Sequence, residues 1–139
     1  MSNDIRKFLC CLLMVLAVLG CAGCSMTKGE MGERISVEFT VLAEDEVPGE
    51  LREIIESHKT EEIKMTFEGE DGLYIIRGYG EQPTGGYSIS ADMVELAADG
   101  LHVTTTLIGP GQGDNPTKEP SYPWIVLKVE ETGQEVIFE

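Results

Sequence analysis

Histidine, tryptophan and basic residues are scarce in this chain. Of 139 residues, two are histidine and one is tryptophan, and Lys and Arg together number 10 against 25 Asp and Glu. The two histidines, His58 and His102, stand far apart, which removes the usual His-rich metal sites and leaves little from which to assemble acid–base machinery. No basic cluster exists to hold a phosphate backbone, so a nucleic-acid partner is excluded. No cysteine follows Cys24, so the body of the chain carries no disulfide. A Gly-x-Ser-x-Gly elbow, a His-Glu-x-x-His pair and a Gly-Lys-Ser/Thr phosphate loop are all missing. Carboxylate pairs are plentiful, but nothing singles out one of them. No catalytic residue, metal or cofactor is assigned, and the chain reads as a non-enzyme.

The longest apolar run is Phe8 to Leu19, behind Arg6 and Lys7. As a helix it spans only about 18 Å, too short for a relaxed bilayer crossing. It has the pattern of a signal-peptide hydrophobic region. Val18-Leu19-Gly20-Cys21 follows, and it resembles a bacterial lipobox, in which the Cys thiol takes a diacylglyceryl group. Cys24, after Ala22-Gly23, is the second candidate, and Cys21 is preferred. The expected organisation is a signal peptide over 1–20, a flexible tether over 21–33 and a folded domain over 34–139. Loss of residues 1–20 removes Asp4, Arg6 and Lys7 and leaves 24 acids against 8 bases. So acidic a domain is repelled by an anionic lipid surface, and the acyl anchor must hold it there. The expected location is the extracytoplasmic face of the cell membrane.

Within the domain, period-2 and period-3.6 patterns alternate. Ile35, Val37, Phe39 and Val41 predict one strand with a buried face. Pro48 to Lys59 carries Leu51, Ile54, Ile55 and His58 at helical spacing, with acids early and Lys59 at the end, and predicts the one helix. Ile63, Met65 and Phe67 predict a strand that turns at Glu70-Asp71-Gly72 into Leu73–Tyr79. Further strands are expected from Tyr87, over 101–107 after Asp99-Gly100, over 124–129, and over 135–138 after Thr132-Gly133. Between them lies a long loop, Gly109 to Tyr122, with three glycines and three prolines. Seven strands and one helix predict an α+β domain, either a mostly antiparallel sheet or a partly closed barrel. His58 is expected half-buried on the helix stripe, and His102 solvent-facing on its strand. The acids Glu68, Glu70 and Asp71 lack EF-hand ligand spacing and read as a solvated hairpin tip.

The informative segment is Gln82-Pro83-Thr84-Gly85-Gly86-Tyr87. Pro83 suits the second position of a β-turn, and Gly86 permits the positive φ that re-enters a strand. With Gly80 to Ile89 around it, and with Ser121-Tyr122-Pro123-Trp124 leading into the apolar Ile125, Val126 and Leu127, it resembles the signature of the PrcB-type domain. That domain is found in accessory subunits of protease complexes. The resemblance covers about Leu73 to Val129, and it departs at Trp124, where a smaller aromatic is expected. A fainter similarity is to chagasin-like cysteine-peptidase inhibitors, whose three loops have counterparts, in the same order, in 82–86, 109–113 and 122–124. Here the first loop loses its second Thr and the third its Arg.

Both resemblances imply a protein-binding surface. Pro-fixed, Gly-rich loops cost little to order, and Tyr and Trp supply contact area with few rotors. The candidate contact residues are Pro83, Thr84, Gly85, Gly86, Tyr87, Tyr122, Pro123 and Trp124, with Cys21 for lipidation. Tyr87 and Trp124 read equally well as core residues at strand starts. The resemblance implies an accessory or stabilising subunit of an exported protease complex, with a peptidase or other envelope protein as partner. A peptidase inhibitor and a structural or ligand-binding envelope lipoprotein are the alternatives. If 82–87 and 122–124 form one surface, they must meet at one end of the fold.

Overall fold

The computed structural model describes residues 32–139. The expected signal peptide, Cys21, Cys24 and the expected tether as far as Met31 lie outside the described residues. The elements are β1 (Ile35–Ser36), β2 (Phe39–Val41), a 3-10 turn (Glu44–Glu46), α1 (Gly49–His58), β3 (Glu62–Gly69), β4 (Gly72–Tyr79), β5 (Ser88–Ala97), β6 (Gly100–Ile108), β7 (Trp124–Val129) and β8 (Val136–Phe138). They form two four-stranded sheets, β1-β5-β6-β8 and β2-β7-β4-β3. All pairings are antiparallel except β6 with β8. The α+β class holds. The sheets pack face to face as separate layers and do not close into a barrel.

Strand β4 organises the layers. Alternate side chains leave a strand on opposite faces, and both faces of β4 are covered. Tyr74 and Ile76 join Val126 of β7 and Ile63 of β3 against Leu51 and Ile55 of α1. Leu73 and Ile75 join Leu127 and Val129 of β7 against Val94, Leu101 and Val103 of the other sheet. The order is therefore helix, sheet, sheet. Burial on both sides explains why residues 73–76 are all apolar rather than alternating. Each fully buried Leu or Ile in these layers contributes about 1.5–3 kcal/mol.

Helix α1 falls within the predicted span, with Pro48 at its N-cap and Lys59 at its C-cap. The β3–β4 hairpin closes at Gly69 and Gly72 around Glu70-Asp71 as the turn residues predict. The expected single strand 35–41 is instead two. Ile35 and Ser36 pair with Leu96 and Glu95 of β5, whereas Phe39 to Val41 pair with Val129 to Leu127 of β7. The chain changes sheets between them, so only Val37 and Phe39 turn into the space between the layers. Ile35 and Val41, at the sheet margins, stay 59 % and 50 % exposed.

Both histidine expectations are reversed. His58 is exposed, because its ring folds back on the last helical turn, with Nδ1 2.8 Å from the Ile54 carbonyl oxygen. His102 is only 5 % exposed, because Asp99 and Glu139 cover it on the outer face of β6.

The layered core makes a direct prediction. Ile75→Ala, at the centre of the inter-sheet layer, should lower unfolding free energy by about 2–5 kcal/mol. Ile35→Ala, at the margin, should change it by no more than about 0.5 kcal/mol. Urea unfolding of the two variants checks the contrast.

Candidate interaction site at the loop end

Four strand ends converge at one end of the domain: the end of β4, the start of β5, the end of β6 and the start of β7. Two connections join them, 80–87 and 109–123. They are stitched together by backbone hydrogen bonds that neither makes alone. Gln82 and Ser121 exchange both bonds, N–H to carbonyl, at 2.8 and 3.0 Å. The Gly85 N–H donates to the Thr117 carbonyl at 3.0 Å, and the Ser121 hydroxyl donates to the Thr84 carbonyl at 2.6 Å. Tyr79 N–H donates to the Pro123 carbonyl at 3.2 Å, and Gln82 Nε2 returns to the Tyr79 carbonyl at 3.0 Å. The expectation that 82–87 and 122–124 meet at one end is met, through residues 117 and 121 that the turn motif alone does not reveal.

Two glycines allow the loops to approach. Gly86 has φ +83°, a region L side chains rarely enter, and a Cβ there would stand 3.2 Å from Pro110 Cβ and 3.4 Å from Pro116 Cβ. A Cβ on Gly85 would stand 2.5 Å from the Thr117 hydroxyl. The Tyr87 ring covers Gly109, whose own Cβ position lies 3.2 Å from Tyr87 Cε1. Five of the six prolines fall within these two connections, so the ordering cost is largely met before any partner arrives.

Each candidate residue has a distinct place. Pro83 and Gly86 are exposed, and Thr84, Gly85, Tyr87, Tyr122 and Pro123 are half-buried at the loop surface. Tyr122 is held between charges, with its hydroxyl 3.2 Å from Glu81 Oε2 and Lys59 Nζ 5.4 Å from its ring centre. The Glu81 carboxylate beside it pushes the Tyr122 hydroxyl above its ordinary range. Trp124 begins β7 opposite Gly78 and packs on the cluster under α1. Its packing is therefore inward as much as toward the loops. The tip at 109–113 is tightened by Asp114, whose carboxylate accepts from Gly111 N–H at 2.6 Å.

Beneath the loops sits an arrangement that motif reading passed over. Arg77 is buried, and its guanidinium lies 3.8 Å from the Tyr79 ring centre. It donates to the Gly78 carbonyl at 2.7 Å and pairs with Glu62 at 2.8 Å, while its Nε finds no partner. The hydrogen bond and charge of Arg77 hold the Glu62 carboxyl below its usual range. The Tyr79 hydroxyl in turn meets the carbonyl and hydroxyl of Thr105 at 3.0 and 2.9 Å, locking the two sheets at the loop end. An Arg amid an apolar run is the sequence signal for this group.

Among the described residues, no three His, Cys, Asp or Glu side chains gather to hold a metal. What the arrangement offers is a rigid, proline-braced, aromatic-bearing rim on a layered helix–sheet–sheet domain. Residues 73–130 match the family model of the PrcB C-terminal domain. This stretch of the chain is thus of the PrcB type, and the match points to a subunit associated with a protease complex. It runs from the second residue of β4 to just beyond β7, so it contains the whole loop end, while β1–β3, α1 and β8 lie outside it. No curated protein and no solved structure matches the chain. The similarity to chagasin-like inhibitors accordingly finds no support there.

Gly86→Ala should cost more stability than Gly113→Ala. Both positions have positive φ, worth about 1–2 kcal/mol for a Cβ, but only Gly86 is pressed between prolines, whereas nothing lies within 4 Å of the Gly113 position. Thermal unfolding of the two variants in parallel measures the difference.

Proposed function

We propose that the protein is a lipid-anchored, non-enzymatic subunit that docks through its loop end onto an exported peptidase or a companion protein of that peptidase's complex. The observation that carries this is the fusion of 82–87 with 117–124 into one hydrogen-bonded rim inside the family-matched stretch. Pro83, Tyr87 and Pro116 supply rigid apolar contact at that rim, and aromatic residues in well-packed surroundings are the usual centres of binding energy. The acidic domain suits a partner approached through basic or apolar surface, and it needs an anchor to stay near an anionic membrane. Cys21 is the proposed lipid attachment residue, with the polypeptide up to Glu33 as its tether.

Two experiments test the two halves of this reading. Pro83→Arg places a long cation on an exposed rim position without touching the core. It should weaken co-purification of the peptidase complex from solubilised membranes by about tenfold or more, a loss of about 1.4 kcal/mol. Glu68→Arg, exposed on β3 near its turn at the opposite end of the domain, should leave recovery unchanged. Equal recovery for both variants rules out the rim as the docking surface. For the anchor, Cys21→Ala should abolish incorporation of a labelled fatty-acid analogue, while Cys24→Ala should retain it. The reverse pattern moves the anchor to Cys24.

A further inference from the structure

At the end of the domain opposite the loops, a row of charged side chains crosses the outer face of the first sheet. His102 on β6 stands at its centre. Its Nδ1 lies 2.7 Å from Glu139 Oε1 and its Nε2 2.9 Å from Asp99 Oδ1, in the β5–β6 turn. Arg34, just ahead of β1, reaches Glu139 at 3.2 Å and Glu95 of β5 at 3.4 Å. The Thr104 hydroxyl also donates to Glu139, at 3.4 Å. These groups, Arg34, Glu95, Asp99 and Glu139, are the charges that face His102 from the surrounding elements. They connect all four strands of the sheet and both ends of the described domain.

Strand β8 needs such support. It is three residues long, and its bonds to β6 end with Leu101 N–H to the Glu135 carbonyl at 2.8 Å and Glu139 N–H to the Val103 carbonyl at 2.9 Å. Yet its Val136 and Phe138 pack into the inter-sheet core. A neutral imidazole has one N–H and one lone pair, so it can satisfy only one of the two carboxylates it touches. The imidazolium satisfies both.

We propose that protonated His102 is a pH-governed clasp that docks β8, and that its deprotonation frees the strand and uncovers the Leu101–Val103 edge of β6. The hydrogen bonds from Asp99 and then Glu139 raise the His102 value above its ordinary one, and they outweigh the desolvation that opposes them. A raised imidazole contributes stability in full below its unfolded value, about 6.5, and loses it as pH rises through the folded value. Asp99, held low chiefly by His102, and Glu139, held low by Arg34 and then His102, contribute above the ordinary carboxylate range and lose that contribution on acidification. The clasp is therefore closed between the carboxylate range and the raised imidazole value, and it opens on either side.

The test uses the full chain in detergent micelles. Imidazole resonances followed by NMR should show His102 titrating above the ordinary imidazole value, with His58→Gln identifying which resonances belong to His102. Protection factors of the Leu101 and Glu139 amides should fall as pH rises through the His102 titration, by no more than about tenfold per pH unit, the limit for one linked proton, while that of Ile75 holds. His102→Gln should abolish this step. Should that variant fold poorly, Asp99→Asn should instead shift the step to lower pH. A His102 titration at or below the ordinary imidazole value, or flat Leu101 and Glu139 protection through the titration, overturns the proposal.

Discussion

Burial of β4 on both faces is the constraint on which the remaining structure depends. A strand covered by α1 on one side and by a second sheet on the other must be apolar at consecutive positions, and Leu73 to Ile76 meet that demand. Its neighbour β7 likewise carries one residue set to each layer and is apolar from Trp124 to Leu127. Val126 faces the helix while Leu127 and Val129 face the second sheet. Where β4 leaves the layers, the apolar rule ends and Arg77 appears. Its charge is tolerated there through the Tyr79 ring, the Gly78 carbonyl and Glu62, since a buried charge persists only when paired and hydrogen-bonded.

That termination connects core to rim. Tyr79 carries the ring on which Arg77 stacks, ties its hydroxyl to Thr105 of the facing sheet, and gives its backbone N–H to Pro123. The loops at this end are thus fastened to the layered core, and their prolines and mutual hydrogen bonds make them extensions of it. A surface of this kind has little conformational entropy left to lose, because that entropy has been lost in folding. The charged row at the far end has a different character. It rests on protonation and on a short parallel strand, so its strength follows pH while the apolar layers do not.

Much of this fold was legible in the order of residues. The spacing of Leu51, Ile54 and Ile55 gives a helix ending at His58, and the alternation of Ile63, Met65 and Phe67 gives β3. The turn at Glu70-Asp71 was equally readable, because turn chemistry is a property of neighbouring residues. The β-turn read at Gln82–Gly85 is instead closed from afar, because the Gly85 N–H bonds to Thr117 and the segment 80–87 crosses between the two sheets. Other features were hidden for equally physical reasons. The alternation over 35–41 has the same period whether the chain stays in one sheet or crosses to another, so the break before β2 leaves no local mark. His102 carries the pattern of an exposed strand residue, and only Glu139, far along the chain, covers it.

The order of residues specifies the helix, the strands with one clean face and the tight turns. These follow from interactions between residues a few positions apart. Tertiary structure alone decided which strands share a sheet, that β4 lies between two layers, that Trp124 packs beneath α1, and that Gln82 pairs with Ser121. The reason is common to all four: each depends on which distant segments come into contact, and period, propensity and turn chemistry contain no record of that choice.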